Sequence, residues 1–263
     1  MFFYLFVLVF PEWRPHFSVL EGGAANEMMA LRWLHLVFGI IWIGLLYFFN
    51  LVLLPAMKKG DGQLRVKILS AVMPGAMGWF RSSAVVTVLV GLRYFSIHLA
   101  SDARLAGDMS LVGKWFGWWF LVWMVAYGLV YFLQLPAQGF RDNVIVRVVG
   151  IAVVVIAASW LVLALNGGPE VSNAHLAISV GGGIGWMLLM NTWGVVWRVQ
   201  KKLIGWARVS AQEGTAMPAE AARLMRWNYL AARTSFWLSF PMLFFMGAAS
   251  HYPFLSSVAL CLG

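Results

Sequence analysis

Long apolar runs alternate with short polar stretches along this chain, and this alternation predicts its elements. A transmembrane helix needs about 20 mostly apolar residues, and six runs reach about that length. The stretches between them are rich in charged residues, glycine and proline, which favour loops. We therefore predict an all-α integral membrane protein, a six-transmembrane-helix bundle with short loops and with spans at about residues 31–54, 83–100, 115–135, 144–165, 175–197 and 236–256.

The residues outside these runs form two short flanks. Residues 1–28 are predicted to be an N-terminal outer-side or interfacial segment, because the apolar run 2–10 ends at Pro11 and lacks the basic residues that begin a signal peptide. Residues 29–258 form the six-helix membrane domain. Residues 259–263 are a C-terminal tail.

Composition supports the membrane class and excludes a water-soluble domain. Hydrophobic residues make up 62% of the 263 positions and charged residues only 11%, whereas a soluble domain has roughly 25% charged residues. The single cysteine, Cys261, excludes an internal disulfide and a cysteine-ligated iron–sulfur cluster. The sequence also lacks the Cys-x-x-Cys-His motif, so no c-type haem is expected.

The net charge of +9 becomes informative when it is divided among the predicted loops. The loops after the first, third and fifth spans carry +10, the opposite side carries −2, and Arg93 within the second span supplies the remaining charge. Cytoplasmic loops are enriched in lysine and arginine, which places both termini outside. The charge therefore indicates topology, and nucleic-acid binding is not expected.

All five histidines fall on the predicted outer side: His16, His35, His98, His175 and His251. Histidine is tolerated near a hydrated interface, but imidazole is also a common metal ligand. Residues four apart share a helix face, which places His35 above Gly39, His251 above Gly247 and His175 near a glycine-rich stretch that includes Gly182. Glycine leaves space on the helix surface below each histidine. This space suits either close helix packing or a flat macrocycle, namely haem b held by two histidines. Copper or zinc is the less favoured use of the same ligands.

Other polar residues lie within the predicted spans. Arg93 is predicted near the bilayer midplane, and the predicted spans contain no acidic residue to pair with it. Its charge would be offset by a haem propionate, an anionic substrate, a lipid phosphate or a carboxylate of another subunit. The alternative is that its long side chain extends to the membrane surface. Asn50, Gln134 and Asn191 lie in the inner halves and are predicted to join helices by hydrogen bonds. The deeper tryptophans Trp42, Trp123, Trp160 and Trp186 fit the core of the bundle or the lining of a cofactor pocket.

Several motifs occur in a recognisable order. They are the stretch 32–44 (RWLHLVFGIIWIG), the stretch 73–81 (MPGAMGWFR), Asn173-Ala174-His175, Asn228-Tyr229 and the stretch 250–253 (SHYP). Through these motifs, the chain resembles the membrane domain of the bacterial urate hydroxylase (urate oxidase N-terminal domain) family over about residues 29–255.

The resemblance implies a multi-pass oxidoreductase domain in the bacterial inner (cytoplasmic) membrane, whose relatives pass electrons to a c-type cytochrome that is often fused at the C-terminus. The matching histidines are His35, His175 and His251, whereas His98 and Arg93 match nothing in the family pattern. This chain departs from the pattern because it has no cytochrome motif, so the cytochrome is a separate subunit or the chain has another function.

Three hypotheses follow from these patterns. The first is a haem b electron-transfer subunit of an oxidoreductase complex, such as a respiratory chain, that passes electrons to a c-type cytochrome or another redox subunit on the outer side. The second is a urate-type small-molecule oxidase that works with a separate cytochrome c. The third is a non-catalytic accessory subunit of a larger respiratory or photosynthetic complex. No catalytic residue is predicted. The predicted ligands of haem iron or copper are His35, His175 and His251. The candidate cofactor-binding residues are these three together with His98, Arg93, Gly39, Gly182 and Gly247.

Overall fold

The computed structural model describes residues 23–136 and 143–252, and within these ranges the chain is helical with no strand. Three π-helical segments, Phe48–Leu53, Ile68–Val72 and Thr192–Trp197, connect helices that follow one another directly. The α-helices in the described ranges are α1 Gly23–Tyr47, α2 Leu54–Lys59, α3 Gly62–Lys67, α4 Met73–Leu105, α5 Ser110–Gln134, α6 Val144–Asn166, α7 Asn173–Asn191, α8 Arg198–Glu213 and α9 Glu220–His251.

Five helical stretches in the described ranges are long and apolar enough to cross a membrane, which agrees with the predicted all-α membrane class. They are Asn26–Lys59, Gly62–Leu105, Ser110–Gln134, Val144–Asn166 and Asn173–Glu213. Four of them contain the corresponding predicted spans, and the third ends at Gln134, one residue before its predicted end; the first, second and fifth run well beyond the predicted ends. The sixth predicted span, 236–256, begins in α9, a helix of 32 residues that is not among these five.

Local sequence explains where several helices begin and end. Asp61, Asn143 and Ser172 each accept a hydrogen bond from a backbone N–H in the first turn of the helix that follows, at 2.7, 2.8 and 3.2 Å respectively. Such side-chain caps satisfy donors that have no partner within the helix. Helix α8 ends before Gly214, which has a φ of +68°, the left-handed conformation that glycine adopts without strain.

Helix α7 lies at the centre of the bundle, in contact with α4, α5, α6 and α9. In the continuous helical stretch Asn173–Glu213 that begins with α7, 72% of the most apolar 18-residue segment is buried, against 22% for that of α6. Glycine permits this central position: a Cβ on Gly181 would lie 3.2 Å from the backbone oxygen of Met242 in α9. Small residues allow helix backbones to approach closely.

Side-chain contacts identify two ends of the bundle. At the first, Asn166 at the end of α6 donates to Trp115 O in α5, and Asn173 at the start of α7 donates to Ala248 O in α9. We call this the histidine end. The opposite end, where Asn191 at the end of α7 donates to Ala231 O in α9, carries most of the lysines and arginines of α2, α3, α8 and α9, and we call it the arginine end.

Candidate functional site

A buried hydrogen-bonded cluster joins the last turn of α4 to the first turn of α7 at the histidine end. One oxygen of Asp102, Oδ2, accepts hydrogen bonds from the backbone N–H of Ser172 at 3.0 Å, from the Ser172 hydroxyl at 3.0 Å and from Nδ1 of His175 at 2.9 Å. His175 is 0% exposed and Asp102 3% exposed. The three residues form a closed polar cluster in an otherwise apolar core.

The helix boundaries create this cluster. Helix α4 continues to Leu105, past the predicted span end at residue 100, and therefore carries Asp102 to the start of α7. A carboxylate is stabilised at a helix N-terminus by the unpaired N–H groups and the helix dipole. The expectation that the spans hold no acidic residue is wrong for Asp102 in α4 and for Glu27 in α1, because both helices run beyond the predicted span ends.

The ring of His175 is fixed in one orientation with one nitrogen unused. An ionised carboxylate only accepts hydrogen bonds, so Nδ1 is the donor, and in the neutral imidazole the lone pair is then on Nε2. That Nε2 is buried and has no hydrogen-bond partner among the described residues. The rings of Trp115 and Phe95 meet the imidazole edge to face, with centroids at 4.9 and 5.8 Å. A buried imidazole lone pair of this kind can bind a metal ion or accept a proton.

His98 lies one turn before Asp102 on α4, close enough to interact electrostatically with both Asp102 and His175. Its Nε2 is also buried and has no hydrogen-bond partner in the described ranges. The Tyr94 ring packs edge to face against it with centroids at 4.8 Å, and the hydroxyl of that tyrosine accepts a hydrogen bond from Arg32 at 2.8 Å. A second imidazole nitrogen without a partner among the described residues therefore lies close to the cluster.

His35 packs against the middle of α4, away from this cluster. Its Nδ1 lies 2.9 Å from the backbone oxygen of Thr87, and its ring fills the notch at Gly91, where a Cβ would lie 2.9 Å from His35 Cε1. A Cβ on Gly39 would meet Thr87 Cγ2 at an ordinary 3.7 Å. His35 thus contacts residues 87–91 of α4, whereas His175 contacts residues 95 and 102, and the structure shows no contact between the two histidines.

His251 also lies apart from the cluster. It is exposed, and its Nδ1 lies 3.2 Å from the backbone oxygen of Gly247 in its own helix. A Cβ on Gly247 would meet no atom within 4 Å. No group of three or more His, Cys, Asp or Glu residues in the described ranges could hold a metal ion. His16 and Cys261 fall outside the described residues.

The glycine-rich start of α7 serves helix and ring packing. A Cβ on Gly183 would overlap the indole of Trp123, and one on Gly181 would press against α9. A Cβ on Gly182 would meet only ordinary contacts, the nearest at 3.5 Å. The indole N–H groups of Trp119 and Trp123 both donate to the Ser179 backbone oxygen, at 2.9 and 3.0 Å. Of the two uses predicted for these glycines, close packing is the one seen at Gly181 and Gly183.

Arg93 has a carboxylate partner within the chain. Its guanidinium lies 2.7 Å from Oε1 of Glu27, and the two side chains are 56% and 41% exposed. Helix α1 begins before the predicted span start at residue 31, so Glu27 reaches the level of Arg93. The expectation of a guanidinium near the midplane without an acidic partner in the spans is therefore corrected.

Sequence reasoning missed Asp102 and Ser172 as parts of the site. A signal was present, because Asp102 follows His98 by four residues and Ser172 precedes His175 by three, the spacing of an N-cap and its helix.

Comparison with known proteins adds no further residues: no protein-family model, curated protein or solved structure matches this chain.

The hydrogen bonding of His175 suits a single ligand of haem iron. Metal-binding histidines almost always donate their other ring N–H to a carboxylate or a backbone carbonyl, which is the arrangement of His175 with Asp102. Its Nε2 is buried and has no hydrogen-bond partner among the described residues, so its lone pair is unused. The glycines of α7 do not leave the space that was expected for a macrocycle at Gly181 and Gly183, because α9 packs against Gly181 and the Trp123 indole packs against Gly183.

Proposed function

We propose that this chain is a membrane electron-transfer subunit of an oxidoreductase complex and that His175 holds the iron of haem b. One observation carries the proposal: His175 Nδ1 is bonded to the buried carboxylate of Asp102 while Nε2 is buried without a partner. Bound haem supplies one-electron redox chemistry. Asp102 orients the imidazole and raises its basicity, while Trp115 and Phe95 exclude water from it.

His98 is the proposed second ligand. It is the other histidine of the described ranges whose Nε2 is buried without a hydrogen-bond partner. It also lies within electrostatic range of His175. A copper ion would use the same two nitrogens, so metal analysis belongs in the test.

The proposed topology has six spans, with α9 as the last, and both termini outside a bacterial inner membrane. Its support is the charge distribution, since the arginine end holds Lys58, Lys59, Lys201, Lys202 and most of the arginines, and cytoplasmic segments are enriched in such residues. The histidine end then faces outward. A c-type cytochrome or another redox subunit would accept electrons at that face.

The test is the absorbance and metal content of the purified full-length protein. We expect a reduced-minus-oxidised cytochrome b spectrum and iron bound by the wild type. His175→Ala should lose at least tenfold of the haem, and Asp102→Asn, which removes the partner of the ligand, should weaken binding about 10–100-fold. His251→Ala is the matched control, because this exposed histidine is not in the cluster, and it should retain full haem content.

Two results would contradict the proposal. One is a colourless wild-type protein with neither iron nor copper, which would favour an accessory role. The other is full haem content in both His175→Ala and His98→Ala.

A further inference from the structure

A second feature lies at the arginine end, where a cavity of about 140 Å³ separates α1, α4, α8 and α9. An engineered cavity of about 150 Å³ in another protein holds one benzene molecule. The space therefore matches a single six-membered ring. A bicyclic heterocycle such as a purine needs more room.

Three amide side chains line this cavity with unused oxygens. Asn50 is 3% exposed and Gln200 8% exposed, and Asn228 lies near the start of α9. The amide oxygen of each is buried and has no hydrogen-bond partner among the described residues. Asn50 is fixed in this orientation, because its Nδ2 donates to Leu46 O at 2.9 Å and to Ala232 O at 3.5 Å. Buried carbonyl oxygens of this kind need a donor, so a ligand that takes the place of water here would bring hydroxyl or N–H groups.

The rest of the lining excludes a charged ligand. No Lys, Arg, Asp or Glu of the described ranges lines the cavity, and its walls are leucine, phenylalanine and methionine side chains such as Phe49, Met73, Met77 and Phe80. Methionine sulfur makes favourable contacts with aromatic rings. The chemistry selects a neutral aromatic ring that carries hydrogen-bond donors.

The backbone around the cavity contains π-helical turns. All three π-helical segments of the described ranges contribute to its wall, through Asn50, Leu69 and Val196 respectively. Single π-helical turns occur frequently at functional sites because they shift side chains out of the α-helical register. This gives independent support for a built site, beyond the amide oxygens themselves.

We propose that this cavity binds the hydroxylated ring of a lipid-soluble quinol, whose two hydroxyl groups donate to amide oxygens of Asn50 and Gln200. A quinol is neutral, has one ring, carries two donors and dissolves in the bilayer that surrounds the helices. The oxidised quinone has carbonyl oxygens in place of the hydroxyls and would face the amide oxygens with acceptors only. The site therefore binds the reduced form more tightly. This binding requires no haem and stands apart from the function proposed for the histidine end.

The experiment is equilibrium binding of 2-decyl-hydroquinone, whose ring carries only two hydroxyls and one alkyl chain, of its quinone and of its dimethyl ether to the full-length protein in detergent, under anaerobic conditions. The quinone keeps the size of the ring and removes both donors, so it tests hydrogen bonding in the wild-type protein without any substitution, while the ether removes the donors and adds two methyl groups. We expect the quinol to bind at least tenfold more tightly than either the quinone or the ether. Equal affinities for quinol and ether, or no binding of the quinol, would overturn the proposal.

Substitutions then locate the site. Asn50→Leu and Gln200→Leu should each weaken quinol binding at least tenfold while leaving ether binding within twofold. Asn166→Leu is the matched control, because it removes a buried amide at the histidine end and should leave quinol affinity unchanged. A similar loss of quinol binding in all three variants would overturn the assignment to this cavity. Haem content, measured on the same samples, separates failure here from failure at His175.

Discussion

Removal of the Asp102 carboxylate is the most direct perturbation of the buried cluster. Asp102→Ala leaves three donors without their acceptor: the His175 ring N–H, the Ser172 backbone N–H and the Ser172 hydroxyl. The hydroxyl can rotate toward another acceptor, but the two N–H groups cannot, because the His175 ring is fully buried and the Ser172 N–H belongs to the half-buried backbone at the N-cap of α7. The variant should therefore lose much more than one ordinary hydrogen bond.

The magnitude follows from these two fixed donors. A buried donor without a partner costs about 1–3 kcal/mol, and because the neutral imidazole leaves no unpaired charge behind, the two donors together cost about 2–6 kcal/mol. We expect Asp102→Ala to lower the free energy of unfolding by about 2–6 kcal/mol, which corresponds to a fall in Tm of roughly 4–24 °C for a chain of this size. Asp102→Asn keeps an acceptor oxygen and loses the charge, so it should cost less, about 1–3 kcal/mol.

Thermal unfolding in detergent, followed by the fluorescence of the 15 tryptophans, provides the assay. A double-mutant cycle of Asp102→Ala with His175→Ala isolates the pair, and we expect a coupling energy of about 1.5–3 kcal/mol. Glu170→Ala removes an exposed carboxylate from the same end of the bundle and should leave Tm unchanged. A coupling energy below about 0.5 kcal/mol would refute the reasoning, because Asp102 and His175 would then act independently.

Two further substitutions test the packing and the charge pair. Gly183→Ala should destabilise the protein by about 1–3 kcal/mol, because the added methyl overlaps the Trp123 indole, whereas Gly182→Ala should leave Tm nearly unchanged; equal shifts in the two variants would contradict the packing described for α7. Glu27→Gln and Arg93→Gln should each lower stability by about 1 kcal/mol or less, since both side chains are more than one-third exposed, and the charge-swapped double variant Glu27→Arg with Arg93→Glu should recover the loss. A double variant no more stable than the single ones would argue against the pair.

The helical class and most spans could be predicted because apolar runs of membrane length leave few alternatives. Boundaries were harder, because hydropathy falls at Ser101 and Asp102 although α4 continues to Leu105. The hydrogen bonds of Asp102 at the start of α7 compensate for burial of a charged residue, and such compensation comes from a distant part of the chain. The same reasoning applies to Arg93, whose partner Glu27 is 66 positions away.

Side-chain depth was only partly predictable from position within a span. Trp42 and Trp123 are buried as expected for the core, whereas Trp160, at a similar depth, is 63% exposed on the outer face of α6. Asn191 joins helices as predicted, through Ala231 O at 2.9 Å and the Ser235 hydroxyl at 2.8 Å. Asn50 also bonds to α9, but its free oxygen faces a cavity that only the assembled helices create. A single sequence carries no information about such a space, because four separate segments enclose it.

The position of α7 explains why both candidate sites depend on one glycine-rich helix. Its glycines admit Trp123 and α9 to close contact, so the helix is buried along its length and its two ends reach the interior of the bundle. His175 begins it, and the chain that continues from it carries Gln200 into the cavity 25 positions later, roughly 37 Å away at the helical rise of 1.5 Å per residue. At that separation no side chain can contact both sites. A substitution that changes haem content without changing quinol affinity, or the reverse, therefore acts locally, whereas a loss of both in one variant reports a defect in the packing of α7.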